Sequence, residues 1–83
     1  MRHKSFAYKV RYVLGKFQLV QDYGAQLPPL PVCEFAAQCL SMYLVPNCYV
    51  QQVQLYIDHD KRGYNITLVR LRDDIYRVNM IQY

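Results

Sequence analysis

Residues 32–45 read V-C-E-F-A-A-Q-C-L-S-M-Y-L-V, with Pro31 before them and Pro46 after. This is the only segment of the chain whose apolar residues repeat at helical spacing over three turns. Glu34, Gln38, Ser41 and Val45 fall at steps of four, three and four residues, which puts them on one narrow stripe of a helix, the only mostly polar one. Cys33, Phe35, Ala36, Ala37, Cys39, Leu40, Met42, Tyr43 and Leu44 occupy the rest of the circumference. A helix this apolar has to be covered on more than one side, by a sheet and then by a long loop or a second chain. Ala36 and Ala37 lack bulk and would let the helix axis approach the sheet. Pro46 ends the helix at Leu44 or Val45. Pro31 suits the first helical position, Leu30 stands uncapped before it, and Glu34 in the first turn adds a modest charge–dipole term. At about 14 residues such a helix is marginal alone and depends on tertiary packing.

On its C-terminal side the pattern changes to a period of two. Cys48 to His59 reads as a strand with Val53, Leu55 and Ile57 on one face and Gln52, Gln54, Tyr56 and Asp58 on the other. Asp60-Lys61-Arg62-Gly63 is a turn in which Gly63 is free to take positive φ. Tyr64 to Arg72 is a further strand whose apolar parity switches between Leu68 and Val69, which a bulge would reconcile. After Asp73-Asp74, Ile75 to Tyr83 alternates Tyr76, Val78 and Met80 with Arg77, Asn79 and Ile81, completing a three-strand meander.

On its N-terminal side, Ala25 to Pro31 (A-Q-L-P-P-L-P) is a stiff extended connection whose leucines are expected to pack down. Before it, residues 5–14 place Phe6, Tyr8, Val10, Tyr12 and Leu14 on one face and Ala7, Lys9, Arg11 and Val13 on the other. Gly15-Lys16 turns the chain into a second alternation through Phe17, Leu19, Gln21 and Tyr23, read as a hairpin, the alternative being one long strand bent by a bulge at Gly15. The order is therefore β-β-α-β-β-β, an α+β two-layer domain over residues 1–83 with one helix across one face of an antiparallel sheet. The other face would present Lys9, Arg11, Gln52, Gln54, Tyr56, Arg77 and Asn79, with Arg70 or Arg72 according to where the bulge falls.

Composition narrows the function classes. Charged residues make up 19% of the chain and Tyr occurs nine times, so part of the surface is tyrosine, glutamine and aliphatic. Lys and Arg outnumber Asp and Glu ten to six. The cations lie at the two ends of the chain and four acids (Asp22, Glu34, Asp58, Asp60) in the middle, which allows a basic patch or a self-complementary dimer. Three cysteines, Cys33, Cys39 and Cys48, have no paired spacing and point to a reducing, cytoplasmic setting rather than a disulfide framework. No signal peptide or membrane span is expected.

Neither His3 nor His59 has metal-ligand company at zinc-site spacing, the glycines are isolated, and the helical cysteines read as core. No catalytic residue, metal, cofactor or small-molecule substrate is expected. The expected function is a non-enzymatic protein–protein interaction module, a small regulatory, accessory or inhibitory protein of the kind a virus or mobile element encodes. Its expected partner is a protein, with a homodimer also possible in principle, and its interface residues are Phe35, Cys39, Met42 and Tyr56. The alternative is single-stranded RNA or DNA on the basic sheet face through Lys9, Arg11, Arg70, Arg72 and Arg77. A helix without basic residues disfavours reading of duplex grooves.

Overall fold

The structure, a computed structural model, describes residues 3–43 and 52–83. Its elements are β1 (Lys4–Val13), β2 (Lys16–Val20), α1 (Leu30–Tyr43), β3 (Gln52–His59), β4 (Arg62–Arg72) and β5 (Ile75–Gln82). All strand pairs are antiparallel in a five-stranded sheet of order β2-β1-β5-β4-β3. The expected two-layer α+β architecture is thus present. The first and last strands lie side by side in the middle, β2 and β3 form the two edges, and α1 carries the chain from one edge to the other.

Alternation explains which side of each strand is buried. Tyr8, Val10, Phe17, Ile57, Tyr64, Ile66, Leu68, Tyr76, Val78 and Met80 face the helix and form one cluster with Val32, Cys33, Ala36, Cys39 and Leu40. Val32, Ala36 and Leu40, at steps of four, are the stripe seated on the sheet, and Ala36 at 0% exposure allows the close approach. The ring of Phe17 lies 5.2 Å from Tyr12 and 5.4 Å from Tyr76, an aromatic group under the β2 side of the helix.

Several local expectations are corrected. The first turn consists of Leu14 and Gly15, both at positive φ (50° and 84°), so Lys16 already belongs to β2 and Leu14, 96% exposed, is not a core residue. In the second hairpin Asp60 and Lys61 take positive φ (51° and 64°), as a two-residue loop that follows the strand twist requires. Gly63 lies inside β4, where the Tyr56 ring covers it: a Cβ there would collide with the Tyr56 hydroxyl and lie 2.7 Å from its Cζ.

The bulge expected at Leu68/Val69 falls between Arg70 and Arg72 instead. The helix begins at Leu30, with the Pro29 carbonyl accepting from Val32 N–H and Cys33 N–H, so Glu34 lies beyond the first turn. In the preceding connection Pro28 is buried while Leu27 and Leu30 are exposed, the reverse of the expectation that the leucines pack down. The expected helix end at Leu44 or Val45, Pro46, Cys48 and the start of the third strand lie outside the described residues. No helix described is long and apolar enough to cross a membrane.

Candidate functional site: the β3 edge and its flanking hollow

The two edges of the sheet are finished differently. β2 is only five residues long, and one of its outward backbone groups is occupied: Phe17 N–H donates to Ser41 Oγ at 3.0 Å, while that hydroxyl donates to the Ala37 carbonyl at 2.8 Å. The helix therefore ties down this edge. Ser41 is not the solvent-facing polar residue that its place on the Glu34–Gln38 stripe suggests.

β3 pairs with β4 on one side in an unbroken register from Gln52↔Val69 to His59↔Arg62. Gly63 O accepts from Tyr83 N–H at 2.9 Å, so the odd-numbered residues of β4 bond towards β5 and the even-numbered ones towards β3. The alternation then directs the backbone groups of Gln52, Gln54, Tyr56 and Asp58 outward. Among the described residues none of these four is bonded to another segment on that side. Nor does β3 carry the devices that usually protect an edge. It has no proline, no lysine and no bulge, and Asp58 is its only acid.

Beside this edge the helix leaves a hollow of about 290 Å³ lined by Phe35, Cys39, Tyr43, Leu55, Tyr56, Ile57 and Asp58. Phe35, Cys39 and Tyr43 recur at steps of four and so share the flank turned to β3. The Phe35 ring lies 5.2 Å from that of His59. Tyr43 is 68% exposed, so the rim is reachable, while Tyr56 borders the hollow from β3 with its ring on the opposite face of the sheet, over Gly63.

Of the four expected interface residues, Phe35 and Cys39 line this hollow together, and Tyr56 borders it from β3 but turns its ring to the face away from the helix. Cys39, however, is only 8% exposed, so it contributes floor rather than contact surface. Met42 is on the opposite flank. There it lines a larger groove of about 720 Å³ between α1 and β2, together with Leu19, Leu30, Cys33 and Ala37. Tyr43 was absent from the expected set, although its spacing from Phe35 and Cys39 was the signal that places it there.

The register also settles the basic residues. On the face away from the helix, Lys9 stands opposite Arg77, and Arg11 and Arg72 flank Ile75. Arg70 shares the parity of Tyr76 and donates from Nε to the Asp73 carbonyl at 3.0 Å, so it is not part of that face. Two of the cations have acidic neighbours: Lys9 Nζ lies 4.0 Å from Asp22 and Arg11 Nε 3.6 Å from Asp74. Next to these cations the face carries Gln54, Thr67, Asn79 and Ala7 across one row, Gln52 and Val69 in line with Arg77 and Lys9, and Tyr56, Asn65, Ile81 and Ser5 across another. Among the described strand residues Tyr56 is its only aromatic one.

Burial pushes the Cys33 and Cys39 thiols above the ordinary thiol range, and Glu34 adds to the effect at Cys33, so both stay protonated near neutrality. Burial, with a smaller contribution from Cys33, also raises the Tyr8 phenol. Among the described residues no group of three or more His, Cys, Asp or Glu side chains converges as metal ligands would. No protein-family model matches the chain, and neither a curated protein nor a solved structure does.

Proposed function

We propose that the chain is a non-enzymatic binding module that takes an extended segment of a protein partner as an added strand along β3. The observation that carries this reading is the row of outward backbone groups at Gln52, Gln54, Tyr56 and Asp58 beside the aromatic-rimmed hollow. Main-chain bonds would supply affinity, and the hollow would select an apolar side chain at every second position of the partner. Tyr43 and Tyr56 suit an interface because each adds large, fairly rigid contact area. The α1–β2 groove is the larger concavity, but the helix already occupies the Phe17 N–H at its wall.

The test is selection of short random peptides against the immobilised chain, followed by mapping of the best binder by amide chemical shifts. Peptides alternating apolar and polar residues, with shifts at Gln54, Tyr56, Asp58, Phe35 and Tyr43, are the expected result. Shifts confined to Lys9, Arg11 and Arg77, produced by a single-stranded oligonucleotide and abolished by moderate salt, would replace this reading with the nucleic-acid one.

A further inference from the structure

Building on the strand-addition reading, we infer that the partner segment is β3 of a second copy of this chain, paired antiparallel about a two-fold axis at Leu55. The sequence of β3 is Q-V-Q-L-Y-I-D-H over Gln52–His59. Antiparallel self-pairing centred on one residue matches each position i to a position j of equal parity, so the side chains of both copies keep their faces. With Leu55 at the centre, the outward-bonding residues fall opposite one another: Gln54 against Tyr56 of the second copy, and Gln52 against its Asp58. Each such pair exchanges two backbone bonds.

The side chains agree with this register. On the helix side, Val53, Leu55 and Ile57 meet Ile57, Leu55 and Val53 of the second copy. The hollow asks for an apolar residue at every second position, and β3 itself supplies that alternation. On the other side an amide faces a carboxylate where Gln52 meets Asp58, and no two like charges stand directly opposite. The axis runs normal to the sheet, so both helices lie on the same face and their Phe35–Tyr43 flanks come side by side. That covers Tyr43 and closes an edge that no other segment among the described residues pairs with. The interface is isologous, as two-fold dimers require, and it joins two five-stranded sheets into one.

Sedimentation equilibrium on the wild-type chain and on Gln54→Pro tests the inference. The Gln54 N–H points out of the sheet, so proline removes an intermolecular donor without breaking a backbone bond to β4; the only bond to β4 lost with the side chain is the exposed one from Gln54 Nε2 to Asn65 Oδ1 at 3.0 Å. The wild type is expected at about twice the 9.9 kDa chain mass, and Gln54→Pro is expected to raise the dissociation constant roughly 10- to 100-fold with an unchanged circular dichroism spectrum.

Leu55→Cys, in a chain with Cys48→Ser, provides a second readout that does not depend on the proline variant folding. It is expected to form an intermolecular disulfide with its own symmetry mate on mild oxidation. Val53→Cys, which would face Ile57 of the second copy, is expected not to. A dimer unaffected by Gln54→Pro, or cross-linking through Val53→Cys rather than Leu55→Cys, would overturn the inference. So would a monomer at all concentrations, but peptide binding at β3 would then still stand on its own test.

Discussion

The two adjacent alanines of the helix separate the seated stripe from its flank, and enlarging each in turn should give opposite results. Ala36 has no exposed surface and lies between Val32 and Leu40 on the sheet, whereas Ala37 is half-buried and lines the open groove beside β2. Ala36→Leu forces additional carbon atoms into a closed contact, and overpacking of this kind costs about 1–3 kcal/mol. In a chain of this size a loss of 1 kcal/mol lowers Tm by about 4–8 °C. The expected fall is therefore roughly 5–20 °C. Ala37→Leu keeps a strong helix former and extends it into free space, so its effect should stay within about 1 kcal/mol of zero. Urea denaturation followed by far-ultraviolet circular dichroism gives both numbers on one scale. Equal losses for the two variants, or a larger one for Ala37→Leu, would mean that the helix is not seated with Ala36 against the sheet.

Three further outcomes follow from contacts in the fold. Ser41→Ala leaves the Phe17 N–H without its partner, a loss of about 1 kcal/mol that the better helix propensity of alanine partly offsets, and the Phe17 amide should exchange faster with deuterium. Gly63→Ala should displace the Tyr56 ring from its place over β4, visible as a loss of nuclear Overhauser contacts between that ring and residue 63, and should weaken any association at the β3 edge. The raised thiols give a pH dependence. Their contribution to stability is fully present below the unfolded-state value near 9.0 and is lost as pH rises through the higher folded values. Stability should therefore decline on the alkaline side, and Cys33→Ala with Cys39→Ala should flatten that decline in urea titrations at pH 7 to 10.

The strands could be read from the sequence because a period of two is a local signal, and Tyr76-Val78-Met80 or Tyr8-Val10 carry it plainly. The order of the strands could not, because β1 and β5 pair across nearly the whole chain and nothing local in Ser5 or Ile81 announces the other. That order decides which edges are free, so the candidate site stayed hidden even though Phe35 and Tyr56 were both singled out. The turns were misread for a different reason. Glycine is the usual signal for positive φ, yet Leu14, Asp60 and Lys61 adopt it here and Gly63 does not. The strand twist demands the loop geometry whatever residues occupy it, and Gly63 instead leaves room for a ring. Ser41 was assigned by helical phase alone, which cannot show that an edge-strand N–H lies within its reach.

The most direct measurement is residue-resolved amide hydrogen exchange at protein concentrations well below and well above the onset of self-association. In the dilute sample the amides of Val53, Leu55 and Ile57, bonded to β4, should be protected, while those of Gln54, Tyr56 and Asp58 exchange quickly. In the concentrated sample the second set should become protected as well, with little change at Lys9, Gln18, Arg77 or Asn79. Protection gained at β2 or on the basic face, with the alternation along β3 unchanged, would contradict the assignment of β3 as the binding edge.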